Sequence, residues 1–268
     1  MLMALMPDEP KILFPHDKVR DIQDTVVSDT YNAIRDKKSI IVHAPTGIGK
    51  TASALAPALS YAIGKDLTVF FLTSRQTQHK IAIETLKKIR KRHNIDFNVV
   101  DIIGKKWMCM QEAEGLNASD FIDYCKKLRD DSSCEFYINT RKKSMSPTVL
   151  AEKNLGDLKA LGPLHAEDII SNCMTPKLCP YEMASMMAKD AKVVIADYNT
   201  IFNSAIRDSF FSKTGKRLES SIIIVDEGHN LPQRARDLLT AKLSTFIIER
   251  AVKEASKLEL FNILGILK

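Results

Sequence analysis

Short apolar runs alternate with longer amphipathic stretches along most of this chain. Five runs have the length and composition of buried strands, at residues 39–44, 67–73, 97–103, 192–196 and 221–226. Stretches of helical periodicity or helix-favouring composition lie before, between and after them, at 17–37, 50–62, 76–92 and 199–211. This alternation predicts an α/β fold with a parallel sheet and helices on both of its faces.

The regular alternation stops from Gly104 to about Met186, where the sequence is polar and irregular. The simplest organisation is one α/β domain, formed by residues 1–103 and 187–240, that is interrupted by an insert at 104–186. Residues 241–268 predict a helix followed by an apolar stretch, and the chain looks truncated there.

Composition narrows the class of protein only modestly. The chain has 268 residues, of which 45% are hydrophobic and 27% charged, and these are globular proportions. No apolar run approaches the roughly 18 residues of a membrane span, and the opening segment lacks the features of a signal peptide. We therefore expect no membrane partner and a cytoplasmic protein. The net charge of +6 is compatible with nucleic acid without indicating it.

A glycine-rich loop joins the first predicted strand to a helix. It reads Ala44-Pro-Thr46-Gly47-Ile-Gly49-Lys50-Thr51, which misses the usual phosphate-loop pattern only at Ala44. Glycines let backbone N–H groups approach phosphate oxygens, and the helix N-terminus adds partial positive charge. Lys50 would reach the β- and γ-phosphates, and the Thr51 hydroxyl would ligate Mg²⁺. The alternative is a glycine-rich turn with a surface lysine.

The last predicted strand ends in paired acids, Asp226-Glu227-Gly228-His229. A buried strand presents such carboxylates at the carboxyl edge of the sheet. We expect Asp226 to hold Mg²⁺, Glu227 to deprotonate the attacking water, and His229 to link the nucleotide site to moving parts. Without the phosphate loop, the same acids would indicate only the start of a helix.

All five cysteines lie within 71 residues, at 109, 125, 134, 173 and 179. An odd number without an export signal argues against a disulfide framework, so a metal or cluster site or a local redox function is expected, against the alternative of buried thiols. The absence of a C-x-x-C pair disfavours zinc, whereas an iron–sulfur cluster takes four thiolates. By spacing alone, Cys173 and Cys179 could exchange roles.

These motifs resemble those of superfamily 2 helicases. The phosphate loop resembles motif I, and Asp226–His229 resembles the DEAH box, with Gly228 in place of alanine. The cysteine insert narrows the resemblance to XPD-like iron–sulfur helicases, which include the bacterial DinG proteins. Smaller matches agree: Phe14 to Gln23, Thr73-Ser-Arg75-Gln-Thr77-Gln, Cys179-Pro-Tyr-Glu and Asp197-Tyr-Asn.

The resemblance implies a RecA-like parallel sheet interrupted by a small iron–sulfur domain. It assigns Gln23 to adenine, Arg75 and Thr77 to the nucleic-acid backbone, and Lys105 to DNA near the cluster. The alternative for Lys105, a solvated loop lysine, stays equally open. A [4Fe–4S] cluster would then be held by Cys109, Cys125, Cys134 and Cys179, with Cys179 favoured over Cys173 by its Pro-Tyr-Glu context. We interpret Trp107 as a shield that keeps water from the cluster rather than as a platform for a base.

The same resemblance implies the N-terminal part of an ATP-dependent DNA helicase that moves in the five-prime to three-prime direction, often in repair. It would bind ATP–Mg²⁺ and single-stranded or forked DNA, and would act in the nucleus if the source is eukaryotic. A second motor domain, which supplies the arginine finger, is missing, and 241–268 resembles the start of a helical arch. The chain alone is therefore expected to bind nucleotide but hydrolyse it poorly. A non-catalytic nucleic-acid-binding module and an RNA-directed helicase stay open as alternatives.

Overall fold

A computed structural model describes residues 11–45, 47–240 and 243–267. The chain divides into two compact units, Met1–Gly228 and His229–Lys268. The elements of the first unit are α1 (Asp21–Arg35), α2 (Lys50–Ile63), β1 (Thr68–Leu72), α3 (Gln76–His93), β2 (Val99–Ile102), α4 (Ala118–Asp130), α5 (Glu135–Thr140), α6 (Val149–Leu161), α7 (Ala166–Met174), α8 (Pro180–Asp190), β3 (Val193–Ala196), α9 (Asn199–Phe202), α10 (Ser204–Thr214) and β4 (Ser221–Val225). The second unit has α11 (Leu231–Leu239), α12 (Thr245–Lys257) and α13 (Phe261–Leu267).

The described strands form one parallel sheet in the order β2-β3-β1-β4. Leu72 at the end of β1 is in register with Ala196 on β3 and with Val225 on β4. The residues that follow these strands therefore leave the sheet at the same carboxyl edge. Four of the five predicted strands are confirmed, and so is the parallel α/β fold.

Helices cover both faces of the sheet. Val69 and Phe71 of β1 belong to a core cluster that also contains residues of the two helices on that face, Leu55, Leu59, Ile83 and Leu86. Phe70 points the other way, and its ring centroid lies 6.2 Å from that of Phe210 on α10. The central strands are thus buried on both sides, which explains why they read as continuous apolar runs.

The predicted strand at 39–44 is wrong in this structure. Residues 39–44 have no strand assignment, and Ile41 is 97% exposed. A strand needs a neighbour that satisfies its backbone groups, and apolar composition alone does not provide one. Among the described residues the sheet ends at β4, whose own side chains are only half-buried.

The insert is largely helical, although its sequence shows no regular helical pattern. Its polar residues serve largely as caps and exposed faces of short helices: Asn117 accepts a hydrogen bond from the Asp120 amide, and Thr148 accepts one from the Ala151 amide. The helix α8 joins the insert to the sheet, with Met183 and Ala184 fully buried.

The predicted helix 199–211 is divided in two. Asn203 ends α9 in an extended conformation, and its side-chain oxygen accepts a hydrogen bond from the Ile206 amide at 3.2 Å, which begins α10. The segment 241–268 contains the predicted helix and a second one, α12 and α13, while residues 241, 242 and 268 lie outside the described part of the chain. No helix in the described part of the chain has the length and apolar character needed to cross a membrane.

Candidate functional site

The glycine loop precedes α2 and has the backbone shape that its sequence predicts. Gly47 and Gly49 have φ angles of 86° and 83°, in the left-handed region that favours glycine. A side chain at Gly49 would also collide with the Gln23 side-chain amide. Gln23 Nε2 donates to the Ile48 carbonyl at 2.5 Å, so the predicted adenine residue packs directly on this loop.

Lys50 is the first residue of α2, and Thr51 follows it. The Lys50 ammonium donates to the Ala44 carbonyl at 3.3 Å, across the base of the loop. Burial raises the pKa of Asp226, and the positive charge of Lys50 offsets part of that rise. Lys50 and Asp226 are 176 positions apart, and the structure brings them to the same edge of the sheet. The predicted residue Thr46 lies outside the described residues.

Asp226 follows β4, and its amide donates to the Leu72 carbonyl at 2.8 Å. Burial raises the pKa of its carboxyl, and the neighbouring Glu227 raises it further, while Lys50 and Thr73 lower it, so the net pKa lies above the ordinary value. The Thr73 hydroxyl faces this carboxylate. However, neither Thr73 Oγ1 nor Asp226 Oδ2, both buried, has a hydrogen-bond partner of ordinary geometry in the described part of the chain. A buried carboxylate oxygen in this state is suited to a cation.

Glu227 adopts a left-handed backbone conformation, with φ of 51°. The buried Tyr198 hydroxyl donates to the carbonyls of Asp226 and Glu227, the latter at 3.1 Å. Tyr198 and Thr73 received no role from the sequence. The sequence offers one weak indication of their importance: each lies within two residues of the end of a buried strand at this edge of the sheet. His229 is exposed in the 3₁₀ helix Gly228–Asn230 and begins the second unit.

The residues predicted to contact nucleic acid lie in two places. Arg75 precedes α3 and Thr77 is within its first turn, and both are exposed beyond the carboxyl end of β1. Lys105 opens the 3₁₀ helix Lys105–Met108 in the insert, with its ammonium 5.6 Å from the centre of the Tyr181 ring. Trp107 is 68% exposed, so the interpretation of it as a shield is wrong: a shielding ring has to be buried.

Four of the five cysteines, Cys109, Cys125, Cys134 and Cys179, line one cavity of the insert. The remaining one, Cys173, is fully buried on α7 and is absent from the cavity lining. Burial raises the pKa of Cys179 to about 12 and also raises that of Cys109, so both thiols are protonated at neutral pH in the absence of a metal.

The four cysteines share a cavity, but their side chains are not arranged around a single metal ion. Among residues 11–45, 47–240 and 243–267, no group of three or more His, Cys, Asp or Glu side chains is arranged to hold one metal ion.

A buried ion-pair network that the sequence did not predict lies next to Cys179. The Glu182 side chain is 1% exposed and binds Arg141 at 2.9 Å and Lys213 at 3.0 Å. It thereby joins α8 to α10 and to the end of α5. Glutamate within a helix gives no sequence signal of this kind, because its partners are 41 and 31 residues away.

The fold and the edge residues define the class: a parallel α/β domain in which a Gly-Lys-Thr loop and an acidic strand end meet. The DEAD_2 family description matches residues 71–248, and the chain belongs to this family. It is 30% identical to a probable ATP-dependent helicase of Methanocaldococcus jannaschii over 228 residues, covering 85% of this chain and 31% of that protein. It is 26% identical to the ATP-dependent DNA helicase XPD of Sulfolobus acidocaldarius over 249 residues, covering 92% of this chain and 39% of that protein.

A solved XPD helicase structure has the same fold, with a TM-score of 0.65 at 22% identity over 93% of this chain and 40% of that one. The resemblance to XPD-like helicases that the motifs indicated is therefore confirmed. The chain spans 31% and 39% of the length of the two relatives described here.

Proposed function

We propose that this chain is the first motor domain, with its insert, of an ATP-dependent DNA helicase that acts in repair. The observation that carries the proposal is the Asp226 carboxylate, whose buried Oδ2 atom has no hydrogen bond of ordinary geometry and whose pKa the Lys50 charge influences. We propose ATP and DNA as its ligands because the two relatives are named as an ATP-dependent helicase and an ATP-dependent DNA helicase.

In this proposal the loop amides around Gly47 and Gly49 bind the phosphates, together with Thr46. Lys50 contacts the β- and γ-phosphates, and Thr51 and Asp226 hold Mg²⁺. Mg²⁺ bound there would neutralise charge on the phosphates.

Glu227 orients the attacking water and accepts its proton. Gln23 recognises adenine at the rim of the loop, and His229 links the site to moving parts.

Arg75 and Thr77 would bind the backbone of single-stranded DNA beyond β1, and Lys105 would bind it on the insert. The second motor domain supplies the arginine that completes the hydrolytic site. The domain boundaries that we propose are 1–103 and 187–240 for the motor, 104–186 for the insert and 241–268 for the start of a helical arch.

Cys109, Cys125, Cys134 and Cys179 would hold a [4Fe–4S] cluster, and Cys173 would not. The role of the cluster is structural, because a small insert gains little stability from its own core. Cluster formation would require each thiol to lose its proton, which iron promotes despite the raised pKa values of Cys109 and Cys179.

The first experiment measures nucleotide binding. A fluorescent ATP analogue should bind the chain in the presence of Mg²⁺, and Lys50→Ala should weaken binding by about tenfold or more, as expected for a lost charged hydrogen bond of about 1.5–3 kcal/mol. Lys65→Ala is the matched control, because Lys65 contacts Tyr61 instead. Equal affinity of the two variants would refute the assignment, and competition between oligothymidine and oligouridine separates a DNA motor from an RNA motor.

The second experiment measures iron in protein purified without oxygen. About four iron atoms per chain are expected. Cys134→Ser should lose the iron, and Cys173→Ser should keep it. Zinc in place of iron, or an equal loss in both variants, would contradict the proposed ligand set.

A further inference from the structure

Tyr198 occupies an unusual position at the carboxyl edge of the sheet. It follows β3, its side chain is 1% exposed, and it is the residue before α9. A buried phenol normally finds a partner for its hydroxyl. Here the hydroxyl donates to two successive backbone carbonyls, those of Asp226 and Glu227.

These two carbonyls belong to the turn that carries the paired carboxylates. Glu227 has φ of 51°, a left-handed conformation that is strained for a non-glycine residue. Such a conformation persists only when the surrounding structure holds it. The Tyr198 hydroxyl helps to hold this conformation, because it donates to the two carbonyls that flank the Glu227 α-carbon.

The segment that carries this phenol also lies beside the segment after β1, because the Thr73 amide donates to the Ala196 carbonyl at 3.1 Å. Burial raises the pKa of Tyr198, and a hydrogen bond from the Ser74 side chain lowers it. Ser74 immediately precedes Arg75, the first residue proposed to bind DNA. Tyr198 therefore lies between the nucleic-acid segment and the acidic turn.

We propose that Tyr198 is a positioning residue that couples nucleic-acid binding at Arg75 and Thr77 to nucleotide binding at Asp226 and Glu227. The inference rests on the proposed function and adds to it. In this proposal, DNA binding moves the Ser74–Arg75 segment, this movement displaces the Tyr198 ring, and the displaced ring changes the position of the Asp226–Glu227 turn. A buried tyrosine that only fills space predicts no such coupling.

The test measures coupling as a ratio within each variant. The affinity of the chain for the fluorescent ATP analogue with Mg²⁺ is determined with and without saturating oligothymidine. Energetic coupling between two sites is typically about 5–150-fold. We expect a ratio of at least about five for the unmodified chain and below about two for Tyr198→Phe. A general loss of affinity cancels in the ratio, so a merely structural effect does not change it.

Two further variants complete the design. Ser74→Ala keeps the phenol and the turn contacts but removes the link to Arg75, so it should also lower the ratio. Tyr61→Phe removes a hydroxyl on α2 that accepts a hydrogen bond from Lys65, and it should leave the ratio unchanged. By reciprocity, the nucleotide should change the oligothymidine affinity by the same factor.

The outcomes separate the two proposals. If the unmodified chain binds no nucleotide, the proposed function fails and the positioning role fails with it. If nucleotide and DNA both bind, a ratio of one for the unmodified chain or an unchanged ratio for Tyr198→Phe overturns the positioning role alone.

Discussion

Removing the Glu182 carboxylate should destabilise the fold far more than removing a surface carboxylate that has an equally short ion pair. Glu182 and Lys213 are 3.0 Å apart, and so are Glu84 and Lys87. The two pairs differ in burial, since Glu182 is 1% exposed and Glu84 is 60% exposed. Burial, rather than distance, therefore decides the expected energy.

The magnitude follows from what each substitution leaves behind. Glu182→Ala leaves the Arg141 guanidinium, which is 7% exposed, without its carboxylate partner. Breaking a buried pair in this way costs about 3–5 kcal/mol. Glu182→Gln keeps one carbonyl acceptor and should cost about 1.5–3 kcal/mol. Glu84→Ala removes only a surface pair, which is worth about 0–1 kcal/mol.

Urea unfolding followed by far-ultraviolet circular dichroism provides the assay, with the shift in midpoint compared at constant slope. Lys213→Met is a useful companion variant, because it removes the more exposed partner and should cost less than Glu182→Ala. An equal cost for Glu182→Ala and Glu84→Ala would refute the argument that burial sets the strength of this network.

Three other outcomes are expected from the structure. Burial alone would raise the pKa of Glu182, but Lys213 and Arg141 more than offset this, and the pKa lies below the ordinary 4.5. The carboxylate therefore contributes its full stabilisation above about pH 4.5, and this contribution declines as the pH falls further. The difference in unfolding free energy between the unmodified chain and Glu182→Ala should be smaller at about pH 4 than at about pH 7. Asp101→Ala leaves the buried His79 ring and the Ala166 amide without their acceptor and should lower the free energy of urea unfolding by about 2–6 kcal/mol. A loss below about 1 kcal/mol would contradict this, because it would show that water satisfies both groups. Ile41→Ser should change stability by less than about 0.5 kcal/mol, whereas Ile195→Ala should cost about 2–5 kcal/mol, and a large effect at Ile41 would show that its segment is buried in solution.

The central strands were predictable because a strand that is buried on both faces of a sheet consists of consecutive apolar residues. Phe70 and Phe71 pack on opposite faces, and the run around them indicates a strand whichever way the sheet is oriented. The Gly-Lys-Thr loop was predictable for a different reason. Only glycine fits Gly49 without strain or collision, so its backbone requirement appears in the sequence itself.

The segment 39–44 shows what an apolar pattern cannot supply. Its sequence is as apolar as that of β4, but a strand depends on a partner elsewhere in the chain. The helices of the insert were missed for the opposite reason, since caps such as Asn117 and Thr148 made short helices look like loops. Likewise, the contacts of Tyr198 and Glu182 join residues that are far apart in sequence, so no local pattern indicates them.

The most direct test of the proposed nucleotide site replaces Mg²⁺ with Mn²⁺ and follows it by electron paramagnetic resonance in the presence of ATP. Lys50 and Asp226 together predict one bound Mn²⁺ per chain, with magnetic coupling to phosphorus of the nucleotide. Asp226→Asn should release the metal, while Asp237→Asn, an exposed acid paired with Gln233, should retain it. Retention of Mn²⁺ by Asp226→Asn, or a bound ion without phosphorus coupling, would contradict the claim that the loop and the strand end form one nucleotide site.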